Sequence, residues 1–278
     1  MIELQGIQKY FNRGEPHEVH ALRNINLQIA HGEFVTVIGS NGAGKSTILN
    51  IIAGVYAPDD GKVEIDGRDV TRLPEYRRAA FVGRVFQNPL DGTAGSMTVE
   101  QNLALALRRG ERRGLQRGVG RQRRNQFREA LASLGLGLED RLDARVRLLS
   151  GGQRQALTLL MATLRRPDVL LLDEHTAALD PGAAAKVAEL TATIVERDRL
   201  TTLMVTHNMQ QALALGTRTL MMHQGQIILD ISGPERRNLT VQDLIARFAA
   251  VRKDKEVIAD DELLLTGATS ENQHPPTT

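Results

Sequence analysis

Residues 39–47 read Gly-Ser-Asn-Gly-Ala-Gly-Lys-Ser-Thr, and this stretch restricts what the chain can fold into more than any other of its 278 residues. Holding several phosphate charges in one place requires many N–H donors and little steric bulk. Gly39, Gly42 and Gly44 let the backbone turn tightly and aim its amides inward, with Ser40, Asn41 and Ala43 between them. Lys45 supplies a point charge for β- and γ-phosphates, Ser46 a hydroxyl suited to Mg²⁺, and Thr47 closes the loop. Phe34 to Ile38 reads as a buried strand before the loop. Ser46 to Ala53 reads as a helix after it, stopped by Gly54. A nucleoside triphosphate would therefore rest on a helix N-terminus. Such a loop arises by chance in roughly one chain in a hundred of this length, and the strand and helix around it make an accident rarer still.

A chain of this length can form one large α/β domain or a two-lobed one. Its 41% hydrophobic content supports a core, whereas aromatic residues make up only 3%. Cysteine is absent, which excludes disulfides and thiolate metal sites and suits a reducing compartment. No run approaches the roughly 18 apolar residues of a membrane span, and the N-terminus lacks a basic-then-apolar leader. The expectation is a cytoplasmic protein unless a partner holds it at a membrane. A net charge of +2 gives no bulk signal for nucleic acid.

Along the chain, residues 1–30 read as two strands joined by the polar loop 12–17. Pro58 to Gly61 reads as a turn, with a half-exposed strand over 62–67 and a third over 81–86. A loop from Asp91 to Ser96 precedes a helix over 99–107. A second, amphipathic helix is expected over 127–136 and a third over 153–164, capped by Ser150. Val169 to Leu172 is apolar on both faces, as in a covered parallel strand. A strand over 201–206 leads into a helix that stops at Gly216. A hairpin over 220–229 and a helix over 240–251 with Thr240 as N-cap complete the ordered chain. Residues 266–278 are polar and proline-bearing and read as disordered. Between 108 and 128 arginine occurs nine times against one acid, Glu111. This segment reads either as a solvated face or as a contact for anionic lipid headgroups or an acidic partner; RNA is disfavoured because no aromatics interleave between 108 and 126.

Two further segments extend the phosphate site. Asp173 and Glu174 end the apolar strand, where α/β sheets place ligands. Asp173 can reach Mg²⁺ through water, and Glu174 can polarise a water for in-line attack on a γ-phosphate. In Leu149-Ser150-Gly151-Gly152-Gln153, Ser150 and two glycines expose amides at a helix N-terminus, an anion site with no second nucleotide in its own chain. It suits the γ-phosphate held by another copy's loop.

Together these segments resemble the ATP-binding subunits of ABC transporters over roughly residues 1–250. The resemblance rests on Gly39–Thr47, Gln87 in Val-Phe-Gln-Asn-Pro, the Leu-Ser-Gly-Gly-Gln run at 149–153, Leu172-Asp173-Glu174, Ala178-Leu179-Asp180 and His207 in Val-Thr-His. It implies a RecA-like P-loop NTPase core of α/β class, with an antiparallel β part at the N-terminus and an inserted helical subdomain over about 90–160. It implies Mg²⁺-dependent ATP hydrolysis and a homodimer sandwiching two ATP molecules. Gln87 resembles a glutamine that touches Mg²⁺ and the attacking water, Asp180 an aspartate at the dimer seam, and His207 a histidine that holds the γ-phosphate. The adenine is expected to stack on Tyr10 or Phe11, with Phe11 favoured by its spacing from Lys9. The family implies a permease partner on the cytoplasmic face of the bacterial inner membrane, and a substrate-binding protein engaged indirectly. One residue departs from the family pattern: His175 stands where most members carry proline. The stretch 173–180 is similar to a subgroup of importers of amino-acid-like or other small solutes. An exporter, a lipid-extracting system or a non-transport ATPase of the same family remain as alternatives.

Overall fold

The computed structural model describes residues 1–111 and 119–252. Arg112, Arg113 and Arg117 of the arginine-rich segment, and the tail over 266–278, lie outside them.

Strands β1 (Ile2–Phe11) and β2 (Val19–Ile29) form an antiparallel pair, followed by β3 (Phe34–Gly39) and helix α1 (Lys45–Ala53). Strands β4 (Asp60–Ile65) and β5 (Arg68–Asp69) precede the short helix α2 (Glu75–Arg78) and strand β6 (Val82–Val85). Three helices follow, α3 (Val99–Leu107), α4 (Arg121–Ala132) and α5 (Gly151–Thr163), before strand β7 (Val169–Asp173). Helix α6 (Pro181–Asp198), strand β8 (Thr201–Val205), helix α7 (Met209–Leu215) and the hairpin β9 (Arg218–His223) and β10 (Gln226–Ser232) come next. Helices α8 (Gly233–Arg237) and α9 (Val241–Arg252) end the described chain.

Two sheets result. The first is antiparallel, in the order β2-β1-β4-β5; the second runs β10-β9-β3-β8-β7-β6 and is parallel except for β10. The residues of β3, β7 and β8 explain the parallel sheet. They are buried almost without a break, as strands covered on both faces must be. One apolar cluster packs Ile48, Leu49, Ile51 and Ile52 of α1 among residues of the two sheets. A second joins α3, α4 and α5 through Leu103, Phe127, Leu131 and Leu157 to Leu170 and Leu172 of β7 and Ile194 of α6. A third, smaller cluster seats Leu244 and Phe248 of α9 on Ala212 and Met221.

Several expectations shift. The helix expected over 127–136 spans Arg121–Ala132, and the chain leaves it at Gly135, which is left-handed with φ 64°. Strand β4 starts at Asp60, inside the expected turn. Gly216 ends α7 in extended rather than left-handed backbone, and is glycine because a β-carbon would sit 2.6 Å from Thr36 Cγ2. The longest helix, α6, follows from Asp180 as N-cap and Pro181 at its first position. That expected partner at a dimer seam thus has a local duty as well: Asp180 Oδ1 accepts the Ala183 amide at 3.0 Å.

Candidate functional site

Register builds the site. Val37 pairs with Val205 and Asp173 with Val205, so β3, β7 and β8 end on one edge of the sheet. The ladder continues beyond the strands: the Glu174 amide donates to Val205 O at 2.9 Å and the Thr206 amide to Val37 O at 3.1 Å. The phosphate loop, Asp173-Glu174 and Thr206-His207 are thereby brought together at the carboxyl ends of parallel strands.

Within the loop each glycine has its own cause. Gly39 abuts the Met222 carbonyl of β9 so closely that any β-carbon would collide with it. Gly44 is the left-handed N-cap of α1, with φ 98°, and a β-carbon there would lie 2.6 Å from Ala21 O. The turn between β9 and β10 braces the loop from beneath, because the Gly225 amide donates to Ala43 O at 3.1 Å. Lys45 is buried, and its Nζ donates to Gly39 O at 2.7 Å and Ser40 O at 2.9 Å. The ammonium is thus held over the loop rather than extended into solvent. Ser40, Asn41 and Gly42 complete the turn, where left-handed Gly42, φ 75°, has open space at its β-position, and Thr47 lies in the first turn of α1.

Asp173 meets the loop directly. Its Oδ1 accepts the Ser46 hydroxyl at 3.2 Å, while Oδ2 accepts Arg84 Nη2 at 3.2 Å. Arg84 lies over the Phe86 ring, 4.6 Å from its centroid. This arginine was not legible as a site residue: only the pairing of β6 with β7 brings it to Asp173. A hydroxyl and a carboxylate converging here are hard oxygen donors. Among the described residues no group of three or more His, Cys, Asp or Glu forms a metal cage. Such a sparse donor set fits Mg²⁺, which keeps several waters and takes phosphate oxygens as ligands. Gln87 is exposed in the loop after β6.

Glu174 adopts left-handed backbone, φ 44°, uncommon for a residue with a side chain. Its Oε2 lies 3.3 Å from His207 Nδ1. The hydrogen bond to His207, reinforced by the charge of that imidazole and of Lys45, holds the Glu174 carboxyl below its ordinary value against the opposing effect of burial. The same hydrogen bond raises His207 above the ordinary imidazole value. The two shifts agree in direction: each group stabilises the charged form of the other.

The segment after Glu174 is gripped by two helices. His175 is buried, and burial pushes its imidazole down to about 4, so the ring is neutral. Its Nε2 lies 3.0 Å from Thr191 Oγ1 on α6, and that hydroxyl donates to Val187 O at 2.8 Å. The hydroxyl proton is spent there, so His175 Nε2–H is the donor. Thr176 Oγ1 accepts Gln211 Nε2 at 3.0 Å, and Gln211 Oε1 accepts the Thr206 hydroxyl at 3.1 Å. Neither Gln211 nor Thr176 carries a sequence signal of its own, since their meeting depends on how α7 packs.

The second anion element sits at the start of α5. Ser150 Oγ accepts the Gln153 amide and Gln153 Oε1 accepts the Ser150 amide, both at 3.2 Å, a reciprocal capping box. Gln153 is further committed to Arg141 Nη1 and Leu136 O, each at 3.2 Å. Its side chain therefore shapes the turn instead of reaching outward. Gly151 is exposed, whereas Gly152 faces Ala183 of α6, 2.8 Å from where its β-carbon would be. The signature turn and Asp180 are thus neighbours within one chain.

The two aromatic candidates separate. Tyr10 stacks on His20, with centroids 4.0 Å apart and planes at 13°, and Arg13 lies over the same ring at 4.7 Å. With imidazole on one face, the guanidinium takes the other, which leaves Tyr10 no face for a base. Phe11 makes a T-shaped contact with Tyr56 at 5.3 Å, with Lys9 Nζ 5.7 Å from its centroid, and has no stacked ring among the described residues.

Comparison with known proteins matches this architecture. The family model described as ABC transporter matches residues 22–177. A tyrosine transport ATP-binding protein of Clostridioides difficile is 46% identical over 250 residues, covering 89% of this chain and 98% of its own length. The methionine import ATP-binding protein MetN 2 of Enterococcus faecalis is 34% identical, over 92% of this chain and 72% of its own. Among solved structures, the dimeric post-hydrolysis state of the ATP-binding cassette MJ0796 bound to ADP and Pi superposes with a TM-score of 0.72 at 31% identity, over 84% of this chain and 98% of that one.

Proposed function

The chain belongs to the ABC transporter family as one of its ATP-binding subunits, and we propose that Glu174 is the base of its ATP hydrolysis and that its cargo is amino-acid-like. The observation that carries the first reading is the convergence on one sheet edge of the phosphate loop, the Ser46–Asp173 contact and the Glu174–His207 pair.

The roles follow from the geometry. Amides of Gly39 to Lys45 and the Lys45 ammonium receive the β- and γ-phosphates. Ser46 and Asp173 would hold Mg²⁺, with Gln87 approaching from its exposed loop; the bound ion neutralises phosphate charge. Glu174, ionised by its neighbours, orients a water and accepts its proton as the water attacks the γ-phosphorus. His207 starts on Glu174 and is free to turn to the γ-phosphate, exchanging one anionic partner for another. Phe11 stacks on the adenine. The exposed Ser150 and Gly151 of one copy face the γ-phosphate held by the other, where the helix N-terminus favours negative charge. Two copies thus close on two ATP molecules. They drive a permease at the cytoplasmic face of the membrane, with a substrate-binding protein delivering cargo to that permease.

The amino-acid reading is supported by the two relatives, whose names give tyrosine transport and methionine import. The Glu174→Gln variant tests hydrolysis and transport together. It keeps shape and ATP binding but loses the charge that polarises water, so turnover should fall at least about a hundredfold. In vesicles carrying the co-purified permease, ATP-driven uptake of tyrosine should stop as well. Normal turnover in Glu174→Gln would place the base elsewhere. Brisk hydrolysis by the wild type with no uptake or stimulation by any amino acid would remove the cargo assignment.

A further inference from the structure

Glu174 and His207 lie on separate strand-end loops, and their partnership requires the two loops to keep a fixed spacing. Backbone bonds tie the Glu174 amide to Val205 O and the Thr206 amide to Val37 O, whereas His207 lies beyond the last of them and is exposed. A side-chain route links the two loops directly. From Glu174 the chain reaches Thr176, whose hydroxyl oxygen accepts Gln211 Nε2 at 3.0 Å. Gln211 Oε1 accepts the Thr206 hydroxyl at 3.1 Å, and Thr206 adjoins His207. Thr206 Oγ1 in turn accepts the Asn208 amide at 3.0 Å, which leaves its proton for Gln211 Oε1, and the Thr176 hydroxyl meets both ends of the Gln211 amide, 3.0 Å from Nε2 and 3.1 Å from Oε1. Asn208 Oδ1 caps α7 at the Gln211 amide, 2.9 Å away, which anchors the backbone of the bridging residue itself. With the Glu174–His207 contact of 3.3 Å, these bonds close a ring.

We infer that Gln211 is a positioning residue that bridges the two catalytic loops and sets the distance between Glu174 and His207. The inference rests on the reading of Glu174 as the base. The bridge has a consequence beyond holding the resting pair. When His207 turns toward the γ-phosphate, the ring loses only its weakest link, and Thr176, Gln211 and Thr206 keep both loops in register for the water between them. A one-ångström drift in either loop would displace that water from the line of attack.

Four variants test it. Gln211→Met keeps length and apolar volume without donor or acceptor, and Thr176→Val breaks the ring at another bond with little change in shape. Each should lower kcat about tenfold, equivalent to about 1.4 kcal/mol of barrier, while KM for ATP stays within about twofold. Thr176→Ser, which keeps the hydroxyl, should restore kcat. A separate readout is the His207 ring proton titration by NMR in nucleotide-free protein, assigned with His207→Asn. The imidazole pKa should fall toward its ordinary value in Gln211→Met, because the pair spends less time in contact. A residue that only supports the fold would lower thermal stability and leave this pKa unchanged. Wild-type kcat and an unshifted His207 in both Gln211→Met and Thr176→Val, with Glu174→Gln inactive, would overturn the bridge alone. Turnover retained in Glu174→Gln would overturn the base, and this inference with it.

Discussion

At the scale of single residues the site is governed by two paired charges. The carboxyl of Glu174 is shifted down and the imidazole of His207 up, each first by their shared hydrogen bond. A depressed carboxyl contributes stability that is present above its unfolded value and lost as pH falls through the folded one. A raised imidazole contributes stability that is present below its unfolded value and lost as pH rises through the folded one. The pair therefore stabilises the fold most between the ordinary values of 4.5 and 6.5. His207→Gln should lower the melting temperature most in that window and very little at pH 9, read from thermal melts across pH. An equal loss at every pH would mean that the ion pair contributes nothing. His207 is partly exposed, which keeps the effect small and sensitive to salt. Most of these residues were legible in the sequence because each belongs to a motif of fixed spacing: the loop at 39–47, Asp173-Glu174, His207. Arg84, Thr176 and Gln211 were not, because their roles arise from contacts between elements far apart in the chain. Gln153, the last residue of the run at 149–153, is occupied by a capping box with Ser150. The sequence pattern Ser-x-x-Gln carries that second meaning equally well.

Between elements, the placement of α1 depends on buried Arg78, whose hydrogen bonds run to backbone carbonyls. Arg78 Nη1 donates to Ile51 O at 2.8 Å and Ile52 O at 2.9 Å, at the C-terminal end of the phosphate-loop helix, and Nε donates to Leu73 O at 2.7 Å. Its remaining nitrogen reaches Val70 O and Thr71 O. The cation thus supplies a donor to Ile52 O at the helix end, shares Ile51 O with the Gly54 amide, and lies at the negative end of the dipole. Burial pushes the guanidinium down to about 10, so it stays charged at neutral pH. Arg78→Met should cost about 3 kcal/mol or more in urea unfolding, because several buried carbonyls lose their donor at once. A loss below about 0.5 kcal/mol would show that water replaces the guanidinium. Two other helices end the same way. Arg109 Nη2 donates to Ala162 O and Arg165 O beyond α5, and Arg236 Nη2 to Ala212 O and Leu213 O in α7. Arg109 belongs to the arginine-rich run, as does Arg124, which pairs with Asp143 and Glu100. Part of that run is therefore spent inside the molecule, while among its described residues Arg121 and Arg128 are exposed. Strands and the helices with clear caps were legible from alternation and capping residues. Helix α6 carries its own start signal in Asp180-Pro181, on the same aspartate that the sequence leads one to expect at a dimer seam.

For the whole molecule, the arrangement of sheets places one complete phosphate loop and one exposed signature turn on each copy. Neither sequence nor a single chain's geometry brings Ser150 and Gly151 to a phosphate of their own. Among the described residues no helix is long and apolar enough to cross a membrane. ATP itself is proposed as the adhesive between two copies, held by Lys45 of one and Ser150-Gly151 of the other. Light scattering on Glu174→Gln with Mg·ATP measures this, since blocked hydrolysis preserves the adhesive. The expected result is a dimer with ATP and a monomer without it. Glu174→Gln carrying Gly151→Asp, which sets a carboxylate against the γ-phosphate while its own phosphate loop still binds nucleotide, should be a monomer in both conditions. A variant that remains monomeric at saturating ATP, or a Gly151→Asp form that dimerises as readily as its parent, would contradict it.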